Sequence, residues 1–207
     1  MLLVVVLVPF EAWKPKYNKI CLEMGYSQTR DRAAAQLLAM LLQARGEWFP
    51  ESGLAKIVRG RVVVVAGGSA SLEEEVWMVK DLLASGGVCL AADGATGFLL
   101  DNGVHPELVV TDLDGPVDRL FEANSLGSVI LVHAHGDNVG LLLEHVQSFP
   151  VARFVVGSAQ SGALPPWVVC YGGFTDGDRA VFLAAHLGAK KIFLAGMDFS
   201  GLTGAWS

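Results

Sequence analysis

Two carboxylates stand two residues apart in the segment TDLDG at positions 111–115, directly after the apolar run LVV at 108–110. Because only 17% of the residues are charged, such a pair at the end of a buried strand indicates a functional site. Asp112 could attack a phosphorus atom while Asp114 serves as acid and base. Alternatively, both side chains could bind Mg²⁺, which prefers a few carboxylates together with phosphate oxygens and water. The five residues alone leave both chemistries open.

A second polar segment, HAHGDN at positions 133–138, also follows an apolar run. It differs by one residue from the HxHxDH signature of metallo-β-lactamase-type hydrolases, because Asn138 stands where that signature closes with histidine. Only two histidines follow it, and a two-metal site needs more nitrogen ligands than these. We therefore expect His133, His135 and Asp137 to orient a ligand rather than to hold a pair of metal ions.

Polar or small residues stand after seven apolar runs in the later part of the chain, and most of these places include a carboxylate or a histidine. The residues are Gly67, Gly68 and Ser69; Asp93 and Gly94; Asp112 and Asp114; His133, His135 and Asp137; Ser158 and Gln160; Thr175, Asp176 and Asp178; and Asp198. If the runs are parallel strands, these residues gather along the carboxyl edge of one sheet, where open α/β folds bind ligands. One aspartate there is usually a turn or cap residue, but the repetition predicts a binding site along this edge.

The elements that would position these residues are short apolar runs separated by helix signals. The runs lie at residues 62–66, 88–92, 108–111, 129–132, 153–156, 167–170 and 192–195. They are apolar throughout rather than alternating, which is typical of strands covered on both faces. The order therefore predicts an α/β fold with a doubly wound, mostly parallel, Rossmann-like sheet over residues 61–207. Residues 1–60 instead indicate a helical N-terminal segment.

Several helices carry local signals. SLEE at 71–74 has the pattern of a capping box, and TDGD at 175–178 offers cap residues for a helix that Gly188 would end. Good helix formers predict another helix over residues 31–44. Before it, apolar side chains recur at helical spacing at Trp13, Tyr17, Ile20 and Met24.

The turn Gly67-Gly68-Ser69 leads into the helix predicted after it. Free backbone N–H groups and the helix dipole at such a position favour phosphate. The turn matches neither GxGxxG nor a P-loop, however, and a plain tight turn explains it equally well.

Charge and cysteine usage restrict the partners and the compartment. The net charge is −6, with nine Lys/Arg against five Asp/Glu in residues 1–61 and six against sixteen in residues 62–207. Such an acidic body argues against nucleic acid as the main partner, and no apolar run approaches the ~20 residues of a membrane span. The three cysteines lie far apart without metal-site spacing, which favours buried thiols in a cytoplasmic protein.

Taken alone, an apolar run that ends in DxDG resembles the nucleophile motif of haloacid-dehalogenase-type phosphatases, in which Asp112 would be the nucleophile. Ser158 would suit the second motif of that family. Two features count against this interpretation. That motif normally opens on the first strand, whereas two runs precede it here, and Pro116 replaces the usual threonine.

A longer stretch supports another interpretation. Residues 92–115, ADGATGFLLDNGVHPELVVTDLDG, resemble the thiamine pyrophosphokinase layout of an ADG turn, a short helix, Gly-x-x-Pro, a strand and DxD. Together with VHAHGDN and with GGFTDGDRAVFLAAHLGAKKIFLAGMDFSG, they resemble the archaeal-type 6-hydroxymethyl-7,8-dihydropterin pyrophosphokinase family over about residues 10–200. Trp13, Tyr17, the segment MGYS at 24–27 and Asp31 also fit the spacing of that family. The loop at 68–72, GSASL, departs from its usual Gly-Pro-Ser-Leu.

This resemblance implies transfer of a diphosphoryl group from ATP to the hydroxymethyl group of a reduced pterin, with release of AMP. It implies Mg²⁺ bound by Asp112 and Asp114, which are also catalytic together with His135. The residues implied at the nucleotide are Gly67, Gly68, Ser69, Asp93 and Gly94, and those implied at the substrate are His133, Asp137, Gln160, Thr175, Asp176 and Asp178. Thiamine is the nearest alternative acceptor, a non-catalytic nucleotide-binding module is a further alternative, and a homodimer is the default assembly.

Overall fold

The computed structural model describes residues 10–160 and 167–198. The apolar residues 1–9, for which the sequence favours a buried strand or a packed tail, lie outside the described residues. The helices are α1 (Phe10–Met24), α2 (Gln28–Arg45), α3 (Glu51–Val58), α4 (Ser71–Ala84), α5 (Asp93–Asp101), α6 (Val117–Ser125), α7 (Val139–His145) and α8 (Asp176–His186). The strands are β1 (Val62–Ala66), β2 (Val88–Ala92), β3 (Leu108–Thr111), β4 (Val129–Ala134), β5 (Val155–Ala159), β6 (Val168–Val169) and β7 (Lys191–Ala195).

The seven strands form one sheet in the order β6-β5-β4-β3-β2-β1-β7, and every neighbouring pair is parallel. From β1 to β6 the chain moves one position along the sheet at each step. It then crosses back over the whole sheet, so that β7 lies beside β1. The predicted doubly wound α/β fold is confirmed, and all its carboxyl ends point to one edge.

Helices cover the sheet unequally. One face packs under α2, α4, α5, α6 and α7, and the other packs under α3 and α8. Strand residues alternate between the two apolar layers: Val64 and Val109 belong to the first, and Val63 and Val110 to the second. Both layers are fully apolar, which explains why the strands appear in the sequence as continuous apolar runs.

The N-terminal helices pack on the sheet and on α8. Leu38 and Leu42 of α2 are fully buried in the first apolar layer. On α1, Trp13 packs against Phe182 of α8 with ring centroids 5.3 Å apart. Met24, predicted on the apolar stripe of this helix, is 58% exposed, and Cys21 is buried in the stripe instead. The division of the chain at residue 61 stays a prediction.

Two local predictions were wrong. The capping box at 71–74 does not form, because Ala70 occupies the cap position and its side chain makes no capping hydrogen bond. The fifth strand begins at Val155 instead of residue 153, because Ala152–Phe154 form a 3₁₀ turn. Among the described residues, no helix is both long enough and apolar enough to cross a membrane.

Candidate functional site

The turn after β3 holds its two aspartates in a constrained backbone. Leu113 between them has a left-handed φ of 72° and is almost completely buried. The hydroxyl of Thr111 accepts a hydrogen bond from the Leu113 N–H at 2.8 Å. Because the side chain of Leu113 anchors the turn in the core, Asp112 and Asp114 are left at the surface of the sheet edge.

A third carboxylate, Asp93 at the start of α5, joins the pair. Oxygen atoms of Asp93, Asp112 and Asp114 lie within 4.8 Å of one another. The Thr111 hydroxyl donates to Asp93 at 3.1 Å, and the Gly94 N–H donates to it at 2.6 Å. A Cβ atom at Gly115 would lie 3.0 Å from an Asp93 oxygen, so only glycine lets the backbone approach this carboxylate comfortably.

Crowding of the three carboxylates shifts their pKa values. Burial and the charge of Asp112 raise the pKa of Asp93, and the contact with Asp112 raises the pKa of Asp114 to about 6. Burial also acts to raise the pKa of Asp112, but hydrogen bonds to His135 and Asp114 outweigh it and lower this pKa to about 2. A divalent cation would offset the repulsion, and carboxylate oxygens are the ligands that Mg²⁺ prefers. The three residues therefore fit a magnesium ion.

Asn138 ties the loop after β4 to the loop after β3. Its side-chain amide donates to the backbone oxygens of Asp112, at 2.8 Å, and of His133, at 2.7 Å. Its amide oxygen accepts the N–H of His135 at 3.0 Å. This buried amide makes three hydrogen bonds, and the histidine of a metallohydrolase signature could not reproduce this pattern.

His135 contacts Asp112 directly. Its Nε2 lies 3.3 Å from a carboxylate oxygen of Asp112, and its Nδ1 accepts the N–H of Asp137 at 3.3 Å. This hydrogen-bond pattern assigns the proton of the neutral ring to Nε2. Both ring nitrogens are thus engaged, which favours a role in holding Asp112 in place.

His133 lies behind the site rather than in it. The ring is 2% exposed, its Nδ1 lies 2.9 Å from the Ser158 hydroxyl, and burial lowers its pKa well below the ordinary value. Ser158 is buried, contacts His133 and does not line the cavity of this site. Among the described residues, the potential metal-binding group is the Asp93, Asp112 and Asp114 cluster, which contains no histidine.

The first turn of α8 closes the site from the other side. Thr175 caps the helix, and Asp178 accepts the backbone N–H of Thr175 at 2.6 Å, so the predicted cap is confirmed and the Asp178 carboxylate is used locally. Asp176 accepts a hydrogen bond from Arg179 at 2.8 Å. Burial and the charge of Asp93 raise the pKa of Asp176 well above its ordinary value.

These elements surround a cavity of about 310 Å³, near the lower end of the size range of small-molecule sites. It is lined by Tyr17, Tyr26, Asp31, Asp112, Asp114, His135, Asp137, Gln160, Phe174, Thr175, Asp176 and Arg179. Seven of these twelve residues are sequence-predicted site residues. The cavity therefore unites the ends of β3, β4 and β5 with the start of α8.

The turn after β1 is engaged elsewhere. The N–H groups of Gly67 and Ser69 donate to the backbone oxygens of Ala195, at 2.8 Å, and Gly196, at 3.0 Å. The Ser69 hydroxyl accepts the N–H of Asp198 at 3.1 Å. Neither the residues of this turn nor Gly94 line the cavity. Their contact with a nucleotide stays a prediction.

Five lining residues were missed as site residues. Tyr17 lies on α1, Asp31 lies on α2, and Tyr26 lies in the loop between these helices. Their approach to the sheet edge is a long-range contact that local patterns do not encode. Phe174 and Arg179 flank the predicted cap of α8. The spacing of Asp176 and Arg179 on one helix face was a signal for an ion pair at this site.

Comparison with known proteins agrees with this geometry. The family model described as 6-hydroxymethylpterin diphosphokinase MptE-like matches residues 47–203. A 6-hydroxymethyl-7,8-dihydropterin pyrophosphokinase from Pyrococcus furiosus is 46% identical over 96% of this chain and 81% of its own length. A protein of the same name from Methanocaldococcus jannaschii is 38% identical over 90% of this chain and 78% of its own.

A third relative of that name, from Methanothermobacter thermautotrophicus, is 37% identical over 95% of this chain and 82% of its own length. Among solved structures, the Maf glycosyltransferase from Magnetospirillum magneticum AMB-1 aligns with 82% of this chain and 30% of its own, at 18% identity and a TM-score of 0.46. A likeness this distant carries no argument about function. On the family match and the identity with its relatives, the chain belongs to the MptE-like family of 6-hydroxymethylpterin diphosphokinases.

Proposed function

We propose that this protein transfers a diphosphoryl group from ATP to the hydroxymethyl group of 6-hydroxymethyl-7,8-dihydropterin, in a reaction that depends on Mg²⁺ and releases AMP. The observation that carries the proposal is the carboxylate cluster in a chain whose relatives are named pyrophosphokinases of this pterin. In the reaction, the hydroxymethyl oxygen bonds to the β-phosphorus of ATP. The bond between the β-phosphorus and the oxygen that joins it to the α-phosphorus breaks. AMP leaves with that oxygen, and the hydroxyl proton is released to water.

The carboxylates would hold the metal ion. Asp112 and Asp114 have oxygens accessible from the cavity, and Asp93 lies beneath them. When bound, Mg²⁺ neutralises phosphate charge and orients the phosphates for in-line attack. Phosphoryl-type transfer needs positioning and charge stabilisation more than covalent help. This is consistent with a cavity whose described lining includes several carboxylates and no serine or cysteine.

Arg179 supplies positive charge at the same place. Within the described residues it is the only lysine or arginine that lines the cavity. Its guanidinium is fixed by one hydrogen bond to Asp176, and its planar fork of donors suits a phosphate oxygen. His135 and Asn138 keep Asp112 in place from the opposite side.

Thiamine is the alternative acceptor to compare with the pterin, because the segment at 92–115 also resembles thiamine pyrophosphokinases. The test is to incubate the protein with ATP, Mg²⁺ and 6-hydroxymethyl-7,8-dihydropterin and to quantify AMP and the pterin diphosphate by chromatography. We expect equal amounts of both products, no AMP without the pterin, and no product after chelation of the metal. Thiamine in place of the pterin should give no AMP.

Three results would contradict the proposal. If AMP formed with thiamine as acceptor and not with the pterin, the protein would be a thiamine pyrophosphokinase. Phosphate release from a generic phosphomonoester would instead support the phosphatase alternative. ATP binding without turnover on either acceptor would indicate a non-catalytic nucleotide-binding module.

A further inference from the structure

The side chain of Gln160 stands at the end of β5 and faces the cavity. It is 4% exposed and lines the cavity. Among the described residues it makes no hydrogen bond, although a buried primary amide can make up to four. Because this amide faces the cavity and makes no hydrogen bond to a described residue, it is placed to pair with a ligand.

The surroundings of Gln160 in the cavity suit a flat ring. Tyr26 and Phe174 line the cavity and form a tilted pair with centroids 5.8 Å apart. Tyr26 is exposed and Phe174 is partly buried, so both retain aromatic surface for a ligand. Aromatic walls bind planar heterocycles through stacking and through burial of apolar surface.

Asp31 adds a fixed acceptor to this wall. One oxygen accepts the hydroxyl hydrogen of Tyr17 and the other accepts the Gly136 N–H, at 2.7 Å. Each carboxylate oxygen can accept a second hydrogen bond. These contacts hold Asp31 in place in the free protein, whereas Gln160 has no comparable contact with the residues that the structure describes.

We propose that Gln160 is a specificity-determining residue that reads the lactam edge of the acceptor heterocycle. Its carbonyl oxygen accepts the ring N3–H and its NH₂ group donates to the adjacent C4 carbonyl oxygen, while Tyr26 and Phe174 enclose the ring. A primary amide matches this donor–acceptor pair with two parallel hydrogen bonds. The inference rests on the proposed function and names the side chain that recognises the acceptor.

The test uses the full chain with Gln160→Ala and, as a matched control, Gln36→Ala, which removes an exposed amide from α2. Two acceptors are compared: the natural pterin and the same pterin methylated at N3, which cannot donate there. In the unmodified protein we expect methylation to lower kcat/KM by about tenfold or more, because a built hydrogen bond is lost and the methyl group meets the amide. In Gln160→Ala we expect the KM for the pterin to rise about tenfold, and methylation to lower kcat/KM less than about twofold.

The KM for ATP and the melting temperature should remain unchanged in Gln160→Ala, since the amide makes no hydrogen bond to any residue in the described part of the chain. Gln36→Ala should behave as the unmodified protein. If Gln160→Ala keeps both the pterin KM and the full penalty for methylation, Gln160 does not read this edge and the inference is wrong. If the unmodified protein forms no product from the pterin, the proposed function itself is wrong, so the two failures are distinguishable. If Gln160→Ala melts lower, Gln160→Glu, which keeps the size but loses the donor, must still raise the pterin KM.

Discussion

Two turns on the same sheet edge differ in how their polar groups are satisfied. The turn at Gly67–Ser69 after β1 pairs its N–H groups and its hydroxyl with the turn that follows β7. The turn at 111–115 after β3 also makes internal hydrogen bonds, but it leaves the oxygens of Asp112 and Asp114 near those of Asp93. The first turn uses the N–H groups of Gly67 and Ser69 within the protein, whereas the second has excess negative charge.

This difference teaches that turns at the same carboxyl edge can use their polar groups in different ways. Strand β1 lies beside β7. The turn after β7 approaches the turn after β1 so closely that backbone N–H groups of one donate to backbone oxygens of the other. At β3 the neighbouring turns bring a carboxylate and a histidine instead of free backbone partners. Charge that the fold leaves unbalanced is therefore the better indicator of function.

The largest expected effect follows from removing charge at the β3 turn. Asp112→Asn should lower kcat for AMP formation more than about 100-fold, since even outer partners of metal ligands cost about 10–100-fold. Mg²⁺ should raise the melting temperature of the unmodified protein and not that of the variant. Asp118→Asn, an exposed carboxylate on α6, is the matched control. Retained turnover in both Asp112→Asn and Asp114→Asn would exclude the metal role.

Asn138→Asp should have the next largest effect. A carboxylate cannot donate to the backbone oxygens of Asp112 and His133. Its oxygens would instead lie against these two carbonyl oxygens, out of contact with water. We expect kcat to fall about 10–100-fold and the free energy of unfolding to fall by about 1–3 kcal/mol, measured by steady-state kinetics and denaturant titration. The exposed Asn18→Asp should change neither, and an unaffected kcat in Asn138→Asp would show that the loop does not need this tie.

Gly67→Ala tests the close packing of the turn after β1 by its effect on the melting temperature. A Cβ atom there would lie 2.6 Å from the backbone oxygen of Gly196. Such overpacking costs about 1–3 kcal/mol, so the melting temperature should fall by several degrees while the KM for the pterin stays the same. Gly140→Ala on α7, where nothing lies within 4 Å of the added Cβ, should not lower the melting temperature. Equal melting temperatures for the two variants would contradict the close approach.

Ser69→Ala should have the smallest effect. It removes the hydroxyl that accepts the Asp198 N–H, and one such hydrogen bond contributes about 1 kcal/mol to stability. We expect the KM for ATP to change less than about threefold, measured at saturating pterin. A tenfold rise would show instead that the turn contacts the nucleotide, as its sequence suggests, and would remove the contrast between the two turns.

The sequence predicted the sheet well because its strands are buried on both faces. Val64 and Val65 point to opposite layers, yet both must be apolar, so each strand appears as a continuous run. The strand order could not be read in this way. That β7 lies beside β1 depends on a crossover of the whole sheet, and this crossover closes the Gly67 turn that local sequence associates with phosphate.

The candidate site was predictable in part for a similar reason. Asp112, His135 and Gln160 follow three consecutive strands that prove to be neighbours, so a shared edge brings them together. Tyr26 and Asp31 precede the first strand, and their approach depends on how α2 docks. The capping box predicted at 71–74 does not form, because α4 begins after Ala70. The serine just before it, Ser69, bonds instead to the turn after β7.

The hydrogen bond between Asp31 and the Gly136 N–H has a consequence for synthesis of the protein. It joins residues 105 positions apart, and Trp13 packs against Phe182 of the last described helix. A chain emerging from the ribosome therefore carries α1 and α2 long before these partners are synthesised. The apolar faces of these helices remain uncovered until then, and the cavity is assembled only when α8 has been released.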